Sequence, residues 1–416
     1  MDADKYKFIE TELNRRRIGD QLRSLRALTP LAGAQVNADG RRMLNFCSND
    51  YLGLAKHTLL QQRAIEFMRN YGAGSTASRL ICGTIQCFED VEEKLACLKE
   101  TESSLIFNSG FQANVSILPA LTNRQSLILS DSLNHNSIIQ GALLSRCRVK
   151  RFRHNDLQHL RQLLKQHRQK ETQRILIVTE SVFSMDGDRS DIRSLVDLAQ
   201  EFEALLIIDE AHATGVLGPR GMGLTCGAQV DLTIGTFGKA CGSFGAYIAC
   251  SKKMRDYLIN CCSGFIYTTA LPPAVVGSID AALDLIPTMD KQRRKLHQNA
   301  DFLRSSLNKL GLSTGNSSTQ IIPVIIGGEK ETIALSKWLA DNGILATAIR
   351  PPTVEPGRSR IRITLSALHT RKQVEQLIKI FKKWRDNQRV TTKEPELKLP
   401  AASYGESSTV KESCLF

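Results

Sequence analysis

Leu205-Leu206-Ile207-Ile208-Asp209-Glu210-Ala211-His212 runs four aliphatic residues straight into a carboxylate, with an imidazole three positions further on. A short, continuously apolar run without alternation is the pattern of a strand buried on both faces, and such strands belong to parallel sheets. Two more stretches repeat the design. Residues 175–179 lead into Glu180 and Ser184-Met185-Asp186-Gly187, and residues 232–236 lead into Phe237-Gly238-Lys239. Outward from these, residues 104–108, 126–129, 149–153 and 246–250 read as further strands, and helical periodicity fills 88–98, 135–144, 156–169 and 192–202. The alternation predicts an α/β fold over 46–285, a mostly parallel sheet covered by helices on both faces.

The pattern changes on either side. Residues 1–45 read as a helical segment, in which Arg15-Arg16-Arg17 precedes Leu22, Leu25 and Leu28 at helical spacing until Pro30 and the turn at 37–40. An apolar stretch follows at 43–47. Residues 286–389 carry a charged helix (291–310), a strand (321–326), a helix (331–342), a strand (360–365) and a basic helix (371–385), which predicts a smaller α+β domain. Residues 390–416 are rich in Ser, Glu, Lys and Pro and read as a disordered tail. Cys414 is third from the end and does not fit a prenylation box.

With 416 residues the chain is long enough for two or three domains. No run of 18 apolar residues appears and the first residues are charged, so neither a membrane span nor a secretory signal is expected. Eleven cysteines are scattered, none as Cys-x-x-Cys, which predicts reduced thiols in a cytoplasmic protein and no metal site. The formal charge of +13 favours anionic partners, among them nucleic acid, phosphorylated cofactors, coenzyme A or an acidic carrier protein. A generally basic solvated surface explains the charge equally well. Asp209-Glu210-Ala211-His212 also spells a helicase signature, but a helicase needs a phosphate-cradling Gly-x-x-x-x-Gly-Lys-[Ser/Thr] loop. Gly238-Lys239 is the only Gly-Lys pair, with Thr233 where the first Gly is required and Ala240 where a hydroxyl is required. A nucleic-acid motor is excluded on chemistry.

In parallel sheets functional groups gather where strands end. A carboxylate at one strand tip (Asp209) and a lysine among small residues at another (Lys239) suit a Schiff-base cofactor. The lysine supplies the amine, and the aspartate keeps a pyridine nitrogen protonated so that the ring accepts electrons. Taken singly, Asp209 reads equally as a helix N-cap and Lys239 as a solvated loop residue. Ser109-Gly110-Phe111-Gln112-Ala113-Asn114 follows a strand and opens a helix, where exposed amides suit a phosphate. His135 either stacks on an aromatic ring or caps its helix.

Across about residues 15–385 the chain resembles the α-oxoamine synthases, pyridoxal 5'-phosphate (PLP) enzymes of the aspartate-aminotransferase fold type (fold type I). The matching stretches are Phe46 to Leu54, Gly72 to Arg79, Asp131 to Ser137, Glu180 to Gly187, Asp209 to Gly215, Thr236 to Lys239 and Phe265 to Pro273. The resemblance implies that Lys239 carries the cofactor and moves protons at the substrate α-carbon. Asp209 would pair with the pyridinium nitrogen, His212 with the phenolic oxygen, and His135 would stack over the ring. Gly110, Phe111 and Thr236 would hold the phosphate, together with Thr268 and Thr269 from the neighbouring subunit of a homodimer. Ser184 would lie beside cofactor and acyl substrate, Arg362 would clamp the amino-acid carboxylate, and Asn49 and Arg23 would face the substrates. The motifs at 48–53, 237–247 and 268–273 resemble most the branch that joins L-alanine to a pimeloyl thioester on coenzyme A or a carrier protein. Ser78 to Thr84 also resemble a glycine-using branch, and Glu210 stands where the family often has Asp or a small polar residue.

Overall fold

The computed structural model describes residues 5–167 and 174–391. Its central sheet has seven strands in the spatial order Ser103–Phe107, Ala246–Cys250, Leu232–Thr236, Leu205–Asp209, Ile175–Glu180, Leu127–Asp131 and Arg148–Phe152. The last five run parallel, while Ala246–Cys250 is antiparallel to both its neighbours. All seven lie where the apolar runs predict them. Every residue of Ile175–Glu180 and of Leu127–Asp131 is buried, which is why those strands are apolar without alternation.

Helices cover both faces. Asp191 caps Ile192–Glu201 by accepting from the Ser194 amide (3.1 Å), and Ile192, Leu195, Leu198 and Ala199 form its buried stripe. Each buried leucine contributes about 1.5–3 kcal/mol of apolar transfer free energy. Register then places the chemistry: Glu180 pairs with Asp209, so two carboxylates stand side by side at the carboxyl edge of the sheet. Ile321–Gly327, Ser359–Thr364 and Thr347–Ile349 form a three-stranded antiparallel sheet. One buried cluster runs from Phe46 and Tyr51 through Tyr247 to Ile322, Leu339 and Phe381, joining that sheet to the larger one.

The amino-terminal segment departs from expectation. Its helix spans only Lys7–Ile18 and buries no residue. Leu22 and Leu25 are exposed outside it, and Leu28–Pro30 is a strand paired with Gln35–Ala38. Leucines three apart form a stripe only where something packs on them, and Leu22, Leu25 and Leu28 are all exposed. Asp39-Gly40, both at positive φ, make a two-residue hairpin turn between Gln35–Ala38 and Arg41–Asn45. At the other end the last helix spans Arg371–Thr391 and so takes in the first two residues of the expected tail; the rest of it, residues 392–416, lies outside the described residues. No described helix is long and apolar enough to cross a membrane.

Candidate active site

The Asp209 carboxylate accepts from Asn114 Nδ2 (2.8 Å) and from the amide of Ala211 (2.8 Å). Asn114 lies one turn into the Gly110–Leu121 helix, whose first turn is capped by Ser109 Oγ on the Gln112 amide (3.1 Å). The same helix leaves the first-turn amides of Gly110 and Phe111 without an intrahelical partner and, through Asn114, holds Asp209. A Cβ placed on Gly110 would meet nothing within 4 Å, so the space at that helix end is open.

His212 is buried between two partners. Its Nε2 lies 2.8 Å from Lys239 Nζ and its Nδ1 2.6 Å from the Tyr51 hydroxyl. Tyr51 Oη lies 3.1 Å from Asn49 Oδ1, which also accepts from Arg362 Nη2 (3.3 Å). One proton order satisfies every link: Lys239 N–H to His212 Nε2, His212 Nδ1–H to Tyr51 Oη, and Tyr51 O–H to Asn49 Oδ1. A hydrogen-bonded chain thus joins Lys239 to Arg362. Gln320 Nε2 donates to the His212 carbonyl (2.9 Å) and steadies the turn beneath.

Burial sets the protonation states. It lowers the Lys239 pKa to about 8, with Arg362 adding to it and the carboxylates of Asp209 and Glu180 opposing it. Lys239 is half-buried with its amine against buried His212, and is no freely solvated loop residue. Burial also holds His212 well below the ordinary histidine value, assisted by Lys239 and Arg362, so its ring is neutral at pH 7. Glu180 is pushed well above the carboxylate range by burial and by Asp209, and its Oε1 accepts from the His135 amide (2.6 Å). His135 caps its helix, accepting from the Ser137 amide (3.2 Å), with Nδ1 2.7 Å from Ser137 Oγ. The capping reading of that residue is correct as far as it goes, and its place beside Glu180 puts it in the site as well.

Arginines of the Ser359–Thr364 strand brace the loop that carries Ser184. Arg362 Nε donates to the Ser184 carbonyl (2.6 Å) and Arg360 pairs with Asp186 (2.6 Å). Gly187, at φ +68°, passes so close to the Ile321 carbonyl that a Cβ would collide with it. Thr236 accepts from the Gly238 amide (3.1 Å) and shapes the turn into Lys239. Thr268 Oγ1 and the Thr269 carbonyl accept from Asn108 Nδ2 (3.3 and 2.7 Å), two residues before Gly110. Arg23 stands apart from this network. Its Nη2 donates to Thr353 Oγ1 (3.1 Å) in a groove of about 470 Å³, beside Thr347, which pairs with Arg362 across the strands. Among the described residues no cluster of three or more His, Cys, Asp or Glu could hold a metal ion.

Sequence reasoning gave no role to Tyr51, Asn114, Glu180 or Gln320. The first three lie inside quoted motifs, but each acts through a partner 45 to 161 residues away, which no local spacing reveals. Glu210, one residue past Asp209, faces away into the core, where it pairs with buried Lys99 (2.6 Å).

A family model for class I and II aminotransferases matches residues 41–381. A "Putative 8-amino-7-oxononanoate synthase" from Desulfosudis oleivorans is 58% identical over 381 residues, covering 92% of this chain and 99% of the relative. An 8-amino-7-oxononanoate synthase from Francisella tularensis superposes with TM-score 0.72 at 27% identity, covering 83% of this chain and 99% of that one. A serine palmitoyltransferase from S. paucimobilis, solved with a bound PLP–myriocin aldimine, superposes with TM-score 0.86 over 94% of this chain and 100% of its own; at 24% identity it supports the fold. This chain belongs to the class I and II aminotransferase family, in its PLP-dependent α-oxoamine synthase branch. Within that branch it is 45–58% identical to several proteins named 8-amino-7-oxononanoate synthase.

The residues fit PLP. An amine with lowered pKa lies beside a buried carboxylate and a neutral imidazole, and an open helix end offers amides to a phosphate.

Proposed function

We propose that the protein condenses L-alanine with a pimeloyl thioester of coenzyme A or a carrier protein, a step of biotin biosynthesis. The products are 8-amino-7-oxononanoate, carbon dioxide and the free thiol. The observation that carries this reading is the Lys239–His212–Tyr51–Asn49–Arg362 chain, which connects a proton-accepting amine to a carboxylate-binding guanidinium. The 58% identity to the D. oleivorans relative supports the choice of substrates.

When bound, PLP supplies an electron sink that acidifies the substrate α-carbon. Asp209, held by Asn114 and the Ala211 amide, keeps the pyridine nitrogen protonated. The amides of Gly110 and Phe111 and the hydroxyl of Thr236 hold the phosphate, with Thr268 and Thr269 of a second copy in a homodimer. With the cofactor in place His212 would meet its phenolic oxygen and His135 would cover the ring. Arg362 orients the L-alanine carboxylate by its fork of donors, with Asn49 beside it. Lys239, in its neutral form, removes the α-proton of L-alanine and later returns one to the product carbon. Ser184 faces the thioester carbonyl, and Arg23 in the groove beside Thr353 meets the far end of the acyl chain.

Mass spectrometry of a reaction with L-alanine and pimeloyl-coenzyme A tests this. Equimolar thiol, carbon dioxide and the amino ketone are expected. Turnover confined to glycine with acetyl-coenzyme A would replace these substrates with those of the glycine-using branch. If the donor arrives on an acidic carrier, KM for the carrier-bound donor rises with salt while that for the coenzyme A thioester changes less.

A further inference from the structure

His154 lies outside every motif read above and contacts none of the residues placed around the cofactor, yet it stands between the two turns that deliver His135 and Ser184. Its Nδ1 is 3.0 Å from Asp131 Oδ1 and its Nε2 is 2.7 Å from Asp188 Oδ2. Asp131 closes its strand and accepts from the Leu133 amide (2.8 Å), forming the turn that leads to His135. Asp188 sits at the base of the Ser184 turn, where the Phe183 amide donates to its carbonyl (3.2 Å) and the Gly187 amide to that of Phe183 (2.9 Å). Phe183 meets the His154 ring edge-on, with centroids 4.3 Å apart. The amide of Asn155 donates to Asp131 Oδ2 (2.9 Å) and its Nδ2 to Asp188 Oδ2 (2.9 Å), closing the cluster.

Geometry fixes the charge of the ring. A neutral imidazole carries one N–H, so one of its nitrogens would turn a lone pair toward a carboxylate oxygen within 3.0 Å. Only the imidazolium donates on both sides. Burial alone would discourage that charge, but the hydrogen bonds and charges of Asp131 and Asp188 outweigh it and raise the pKa to about 10. His154 thus stays cationic where His212 and His135 are held neutral.

We infer that His154 is a positioning residue, a charged strut whose two N–H bonds set the spacing between the turn carrying His135 and the turn carrying Ser184. It touches neither cofactor nor substrate; it acts through Asp131 and Asp188. The inference rests on the proposed function only in taking those two turns as walls of the PLP site. A strut of this kind does more than hold the fold, because the gap it sets is the one that the cofactor ring and the acyl carbonyl must share. Misplacement of reacting groups by about 1 Å can cost about 100-fold in rate.

Two measurements test it. Without added cofactor, ¹⁵N shifts of His154 should show both ring nitrogens protonated from about pH 6 to about pH 9. A neutral ring at pH 8 overturns the strut. His154→Gln keeps a donor but cannot donate in opposite directions from two ring positions. In the PLP-loaded variant we expect kcat/KM to fall about 100-fold and the visible band of the lysine-bound cofactor to change. A variant with lowered melting temperature but wild-type spectrum and kcat/KM within about threefold of wild type would show a merely structural role and overturn the inference. If His154→Gln does not fold, Asp188→Asn keeps the Asp131 bond and removes charge only at the Ser184 turn. It should raise KM for the thioester about tenfold with PLP affinity unchanged, and no change in KM overturns the inference. The spectrum is read without any acyl donor, so a wild type that fails to turn over pimeloyl thioester defeats the substrate reading and leaves this test intact.

Discussion

Tyr51→Phe isolates one atom of the chain between Lys239 and Arg362. The ring is fully buried and stays, so no cavity forms; what disappears is the hydroxyl 2.6 Å from His212 Nδ1 and 3.1 Å from Asn49 Oδ1. His212 is itself buried, so bulk water does not readily replace the lost partner. Leaving a buried polar group unpaired costs about 1–3 kcal/mol, which converts at 1.36 kcal/mol per decade to a fall of about 5-fold to about 150-fold. The loss should appear in kcat, because His212 orients Lys239, and the same unpaired group should also lower the melting temperature. The assay is steady-state thiol release at saturating PLP, with a melting curve as control. A kcat within about twofold of wild type, at full cofactor occupancy, would refute the reasoning, since the hydroxyl would then be redundant.

Other consequences follow from the same geometry. Lys239→Ala removes both the anchor for PLP and the base, so turnover should be negligible; activity within about tenfold of wild type would overturn the assignment. Asp209→Asn should keep the cofactor while losing rate, because an amide cannot sustain a protonated ring nitrogen, and equal rates would count against Asp209. The Lys239 amine is lowered to about 8, so its free-base fraction grows with pH, and capture of added PLP should accelerate through about pH 8 and level off above it. A rate constant that does not vary with pH would separate capture from this amine. Lys99→Met strands the Glu210 carboxylate, which is 0% exposed and 2.6 Å from the lysine, and should cost about 3–5 kcal/mol in urea unfolding. A cost below about 1 kcal/mol would mean that the pair contributes little.

How far the sequence carried the reading depends on where each interaction partner lies. Strands such as Ile175–Glu180 were legible because burial on both faces forces an unbroken apolar run. Asp209 and Lys239 were legible as candidates because parallel strands end on one edge of the sheet, and the strand order then sets their two strands side by side. Tyr51 was not, since its meaning depends on a histidine 161 residues away. Glu180 looked like one more strand terminus until register set it against Asp209. The amino-terminal leucines misled for the opposite reason. Their spacing is helical, but they are exposed, and the hairpin at Asp39-Gly40 takes Arg41–Asn45 into a sheet with Ile344–Leu345. Asp-Gly between extended segments was the available signal for that hairpin.

The most direct test of the central claim is the visible absorption of the purified protein with PLP, titrated in turn with L-alanine, glycine and L-serine. The account predicts a band from cofactor bound to Lys239 that responds at the lowest concentration to L-alanine. A band that responds first to glycine would contradict the choice of substrate, and no band at all after adding PLP would contradict the role of Lys239.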